Sequence, residues 1–130
     1  MKETYEFLRE ANTFFIATLE GDQPRVRPFG GVVEAEGKLY FATTNVKPVY
    51  RQLLEHPKVE LCAVLGDRWI RVAGEAVHDP RREARSAMLD STPRGRSTYH
   101  EDDGLFEVFY LRNVTATIYR FGAEPEVHQF

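Results

Sequence analysis

The sequence predicts a mostly β chain with inserted helices (α+β), folded as a small antiparallel barrel with Greek-key-like connections. About seven short runs rich in aromatic and β-branched residues are each closed by a glycine or asparagine turn. Helical stretches interrupt them at irregular points. Alternating βαβ units would need a helix after nearly every strand, so a doubly wound parallel sheet is excluded.

The elements follow in order. A first helix is predicted from about Thr4 to Ala11, with Tyr5, Phe7 and Leu8 on its apolar face. "TFFIATLE" reads as a strand closed by Gly21-Asp22, and "PRVRPFGGVVEAEGKLYFATT" as two more strands broken at Glu36-Gly37. Together they predict a three-stranded meander. Leu39 to Thr43 form the heart of its last strand, and Pro48 to His56 a helix with Val49, Tyr50, Leu53 and Leu54 as its apolar side. Asn45 is the predicted N-cap and Pro48 suits the first turn. "KVELCAVL" and "RWIRVAGEAVHD" form a hairpin about Gly66-Asp67. Asp79-Pro80 opens a helix, "PRREARSAML", with Arg81 and Arg82 near its start. Ser91 to Gly104 is a long polar loop, of a length that in compact domains often marks a lid. "LFEVFYLR" and "VTATIYRF" are two final strands joined at Asn113, followed by a short tail.

At 130 residues the chain makes one domain, 1–130, and its 42% hydrophobic and 28% charged content is ordinary for a globular protein. A net charge of -3 gives no general attraction for nucleic acid or an anionic membrane, so any anion site is local. Cys62 is the only cysteine, which excludes an intrachain disulfide and predicts a buried strand thiol. No apolar run approaches the roughly 20 residues of a membrane span, and the amphipathic start lacks a signal-peptide core. The expected location is cytoplasmic.

Lys47 carries the first functional signal. It falls at the positive end of the Pro48–His56 helix, where an exposed cation costs roughly 0.3 to 1 kcal/mol unless an anion sits between it and the free backbone N–H groups. Thr43 and Thr44 end the preceding strand with two hydroxyls. Strand alternation puts Arg25, Arg27 and Phe29 on one face of the second strand. Those arginines form either a solvated surface or half of an anion site. Pro28 and the Gly30-Gly31 pair mark an irregular edge segment where backbone can approach a ligand. Together these residues describe a phosphate cradle.

The run "GDQPRVRPFGGVVEAEGKLYFATTNVKPVYRQLLEHPKVELCAV", continued through "RWIRVAGEAV" and more weakly "FEVFYLRNVTATIYRF", resembles the pyridoxamine 5'-phosphate oxidase-like family of FMN-binding split β-barrels. The resemblance implies a homodimer with FMN at the subunit interface. It implies that Arg27 and Lys47, with Thr43 and Thr44, hold the phosphate, joined by Arg25 on the same face. Backbone at Arg27, Pro28 and Phe29 would border the isoalloxazine. Trp69 would reach the flavin or the partner subunit, or else pack in the core. Arg71 needs a partner, whether a carboxylate, the phosphate or the dimer mate. The C-terminal substrate motif of the namesake oxidase is missing, since "EPEVHQF" offers only His128. Short family members resemble flavin reductases, nitroimidazole-resistance reductases and deazaflavin-dependent reductases. The expectation is therefore an FMN-dependent oxidoreductase acting on a small-molecule electron donor and acceptor. A non-catalytic flavin carrier or sensor remains the alternative function, and a deazaflavin or FAD the alternative cofactor.

His56, His78, His100 and His128 show no metal spacing and no strong partner in sequence, and Glu101–Asp103 reads as a solvated turn. Tyr99 and His100, beside Arg94 and Arg96, are the candidates for groups facing a substrate.

Overall fold

The structure is a computed structural model that describes residues 1–130, the Pro93 side chain excepted. Its elements are α1 (Lys2–Ala11), β1 (Thr13–Glu20), β2 (Gln23–Gly30), β3 (Val33–Ala35), β4 (Lys38–Thr44), α2 (Pro48–Glu55), β5 (Lys58–Leu65), β6 (Arg68–Asp79), α3 (Arg82–Asp90), α4 (Pro93–Thr98), β7 (Phe106–Arg120) and β8 (Glu126–Gln129). All strands join one antiparallel sheet in the order β2-β1-β5-β6-β7-β4-β3, with β8 added to β7. Among the described residues no helix is long and apolar enough to cross a membrane.

The predicted hairpins β1–β2 and β5–β6 form in the expected register, Ile16 facing Arg27 and Cys62 facing Arg71. The three-stranded meander does not. β3 pairs only with β4, and β2 and β3 lie at opposite ends of the sheet path. The break falls at Gly31, whose φ of +95° turns the chain out of β2.

The two final strands are one. β7 runs through Asn113, where a φ of +52° and a register slip opposite Gly74 mark a bulge that bends the strand without ending it. A side chain at Gly74 would come within 3.3 Å of the Arg112 carbonyl, so the two strands approach closely there. The tail adds β8, and Phe130 exchanges backbone hydrogen bonds with Val114. The polar loop also contains structure, since α4 occupies its first half. Cys62 is half-buried rather than buried, because its strand face is only partly covered.

Two packed cores explain the alternation. Phe14, Ile16, Phe41, Leu61, Ile70, Val72 and Phe109 fill the barrel, closed by Phe7 and Leu8 of α1 and by Val49 and Leu53 of α2. Val33, Tyr40, Met88, Leu89, Phe106 and Val108 form a second core beneath α3. β4 lies between them, which is why "LYF" is buried at every position instead of alternating. Leu54, predicted on the apolar side of α2, is exposed, and Gln52 takes the buried place beside Leu53.

A partly buried ionic clasp, centred on the buried Asp79, ties the start of α3 to β4 and β6. Asp79 Oδ2 accepts from Tyr40 Oη at 2.8 Å and from Arg81 at 2.9 Å, and Arg81 also reaches Glu36 at 2.6 Å. The α3 N-cap is Arg81, and Asp79 ends β6 and takes the Arg81 N–H on Oδ1.

Candidate functional site

α2 begins without help from a side chain. The predicted cap, Asn45, instead donates to the Gly104 carbonyl at 2.8 Å and to Glu107, so Lys47 is the N-cap and makes no side-chain capping bond. No acid lies in the first turn of α2. The helix start is therefore positive and uncompensated, with Lys47 exposed beside it.

Lys47 lines three cavities, two of which carry the predicted threonines and arginines. One, of about 320 Å³, is walled by Thr43, Thr44 and Gly30 on one side and by Arg94, Thr98 and Tyr99 on the other, with Phe106 at its base. The second, of about 420 Å³, is walled by Arg25, Arg27, Pro48, Gln52 and Glu20. Lys47 lines both, so the arginine-bearing end and the threonine-bearing end belong to one continuous region around the helix start.

Thr43 and Thr44 are both buried. Thr43 lines the first cavity, and its Oγ1 is buried with no hydrogen-bond partner among the described residues. An unpaired buried hydroxyl costs about 1 to 3 kcal/mol, so this orphan calls for a ligand group on the cavity side. The fit to a phosphorylated polyol follows from the donor set: a hydroxyl, a lysine and an uncapped helix end.

Arg25 and Arg27 share a face of β2 as expected but are employed differently. Arg25 is exposed and pairs with Glu20 at 2.9 Å. Arg27 turns inward, donating to the Ile16 carbonyl at 3.1 Å, to Thr18 Oγ1 at 2.7 Å and to Gln52 Oε1 at 2.7 Å. Burial, and then repulsion from Arg25, hold its guanidinium below the usual arginine range. Because Gln52 belongs to α2, Arg27 fixes the helix that carries Lys47 to the β1–β2 hairpin. Phe29 packs its ring between Phe14 and Phe41 at 6.0 and 5.9 Å, while Pro28 is exposed.

Trp69 is not part of this cluster within one protomer. It stacks on Tyr119 at 4.9 Å at the opposite end of β6, on an outer face with exposed Phe15, Val26 and Val64. Arg71 finds its carboxylate in Glu60 at 3.4 Å.

Sequence reasoning passed over Arg94, Gly95, Thr98 and Phe106 as lining residues. The Thr92-Pro93 pair was the available signal, because a proline at the first helical position after a threonine announces a helix. Tyr99 does face the cavity, whereas His100 turns to Glu101 at 3.1 Å. His78 likewise has a partner, Glu107 at 3.1 Å. The expected solvated turn is overturned at Glu101, which is buried and accepts from Arg96 at 2.6 Å and Ser86 at 2.9 Å, binding α4 to α3.

An antiparallel split barrel with a basic cleft at an uncapped helix start is the class that fold and site define. The chain belongs to the pyridoxamine 5'-phosphate oxidase family, whose model matches residues 1–118. It is 43% identical to a NimC/NimA family protein from Clostridium acetobutylicum, with a TM-score of 0.93 over 98% of this chain and 93% of that one. An FMN-binding, pyridoxamine 5'-phosphate oxidase-related protein from Nostoc punctiforme shares the fold at 15% identity, TM-score 0.70, over 99% of this chain and 94% of that one. A heme-binding protein from Mycobacterium smegmatis also shares it, at 18% identity and TM-score 0.72, over 94% of this chain and 57% of that one. No curated protein sequence matches the chain.

Proposed function

We propose that the protein is an FMN-dependent oxidoreductase that reduces a small acceptor such as a nitroaromatic or quinone, drawing electrons from a nicotinamide or similar donor. The observation that carries this reading is the buried, unpartnered Thr43 hydroxyl beside a cavity lined by Lys47, which also lines the neighbouring cavity of Arg25 and Arg27. Lys47 and the α2 start would hold the phosphate, with Arg25 as an exposed second cation. Thr43 and Thr44 would bind the ribityl hydroxyls, and backbone at Phe29 and Gly30 would border the ring. Arg27 acts one step back, holding α2 in place. When bound, FMN supplies hydride transfer, while the protein orients it and excludes water through α4 and Tyr99.

The proposed assembly is a homodimer across the outer β2–β1–β5–β6 face, where Phe15, Val26, Val64 and Trp69 stand exposed. The heme reading has less support, because among the described residues no histidine lines either cavity.

An absorption spectrum from 300 to 550 nm, with mass analysis of released ligand, tests the assignment. Flavin bands and released FMN are expected. A heme Soret band, or a colourless protein that takes up no added FMN, would overturn it. Reduced flavin that never passes electrons to any of a panel of acceptors would favour a carrier instead.

Lys47→Ala should weaken FMN binding by about 10- to 150-fold, the loss of a charge-assisted contact worth about 1.5 to 3 kcal/mol. Fluorescence titration of the apoprotein reads this directly, and unchanged affinity would remove Lys47 from the site. Thr43→Val separates binding from folding. Without ligand the variant should be as stable as the parent or up to about 1 kcal/mol more so, while FMN affinity falls. A destabilised apoprotein with normal affinity would mean the hydroxyl serves the fold.

A further inference from the structure

We infer that the flavin site has an adjoining pocket in which Arg9 and Arg94 hold the carboxylate or phosphate of the small molecule that exchanges electrons with the flavin. The assignment rests on the flavin reading above, because the pocket's role follows from its neighbour.

A cavity of about 650 Å³ lies between the end of α1 and the α3–α4 connection, lined among others by Arg9, Asn12, Gly30, Gly31, Thr92 and Arg94. It shares Gly30, Thr92 and Arg94 with the Lys47 cavity. A molecule seated in it would therefore reach the flavin cavity across the end of β2. Its size suits a small aromatic acid.

Charge distinguishes this pocket. The chain carries 20 acidic residues, yet no aspartate or glutamate lines either cavity. Other arginines nearby are consumed: Arg82 by Asp102, Arg96 by Glu101 and Asp90, and Arg85 by the Glu101 and Pro80 carbonyls. Arg9 and Arg94 have no side-chain partner among the described residues. Two unpaired cations facing a concavity free of acids focus a positive potential there, and each can give a charge-assisted hydrogen bond.

The direction of Arg94 is set by its helix. Residues two apart on a helix point to nearly opposite sides, so α4, held against α3 by Arg96 and Glu101, turns Arg94 the other way, where it lines both cavities. The helix packs on α3 at Gly95, where an added Cβ would come within 3.3 Å of Leu89 Cδ2.

The test uses the FMN-loaded protein and a matched probe pair, 4-nitrobenzoate and 4-nitrobenzamide, with binding followed by NMR titration. The carboxylate is expected to bind about tenfold more tightly than the amide. Arg9→Gln, which lies outside the Lys47 cavity, should abolish the preference while leaving FMN affinity unchanged, and Arg94→Gln should abolish it as well. Equal affinities for the two probes, or a preference that survives both substitutions, would overturn the assignment alone. A chain that takes up no FMN overturns the flavin reading and this role with it.

Discussion

Asp79→Ala should destabilise the protein by about 2 to 3 kcal/mol, because it removes the buried acceptor shared by the Tyr40 hydroxyl and the half-exposed Arg81. The carboxylate is 5% exposed and accepts four hydrogen bonds, one from Tyr40 and three from Arg81. Its loss strands the buried Tyr40 hydroxyl and frees the start of α3, which roofs the second core. The Arg81 hydrogen bonds above all hold the Asp79 carboxyl at about 2, below its usual 3.8. A group whose acidity is strengthened by folding stabilises above its unfolded value and loses that contribution as pH falls. Stability should therefore drop by about 2 kcal/mol between about pH 4 and pH 2. Urea unfolding across that range should show the drop in the parent and a flatter limb in Asp79→Asn. The limb will not vanish, because Arg96 and Ser86 also hold the Glu101 carboxyl below its usual range. At the basic end, burial and the Asp79 bond push Tyr40 up to about 12, so its contribution persists below pH 10 and fades above it.

Phe109→Ala is the second large effect, a loss of about 3 to 5 kcal/mol in chemical denaturation. The ring is fully buried, stacks on Phe41 at 5.9 Å and meets Tyr50 of α2 at 5.9 Å and His78 at 5.2 Å. Removing it opens a cavity directly behind the helix that presents Lys47. The variant should therefore bind FMN more weakly even under conditions where it remains folded, with Phe109→Leu intermediate in both respects. Equal FMN affinity in a folded Phe109→Ala protein would show that α2 is held by the Arg27–Gln52 contact alone.

The parts of the site that were legible are those set by local rules. The position of Lys47 at a helix start followed from Pro48, and the shared face of Arg25 and Arg27 from strand alternation. What was hidden depends on partners far along the chain. Arg27 turns inward because Thr18 and Gln52 meet it there, and nothing within "RVRPF" announces either. Glu101 is buried because α3 and α4 bring Ser86 and Arg96 to it, so its polar neighbours in sequence misled. Asn113 passed for a turn because a left-handed asparagine usually is one, whereas the bulge opposite Gly74 absorbs it within β7. The meander failed for the same reason: Gly31 sends the chain to the other end of the sheet.

The end position of β2 has a consequence for the chain's life in a crowded solution. A terminal strand offers unsatisfied backbone groups to any other chain that could lengthen the sheet. β2 carries Pro24 and Pro28, an even number of residues apart, so both occupy the same phase of its ladder with β1. The N–H groups they lack are those that would have faced outward. The two prolines thus leave this edge strand unable to template fibrillar growth along its full length. The site can stay open to small molecules without inviting aggregation.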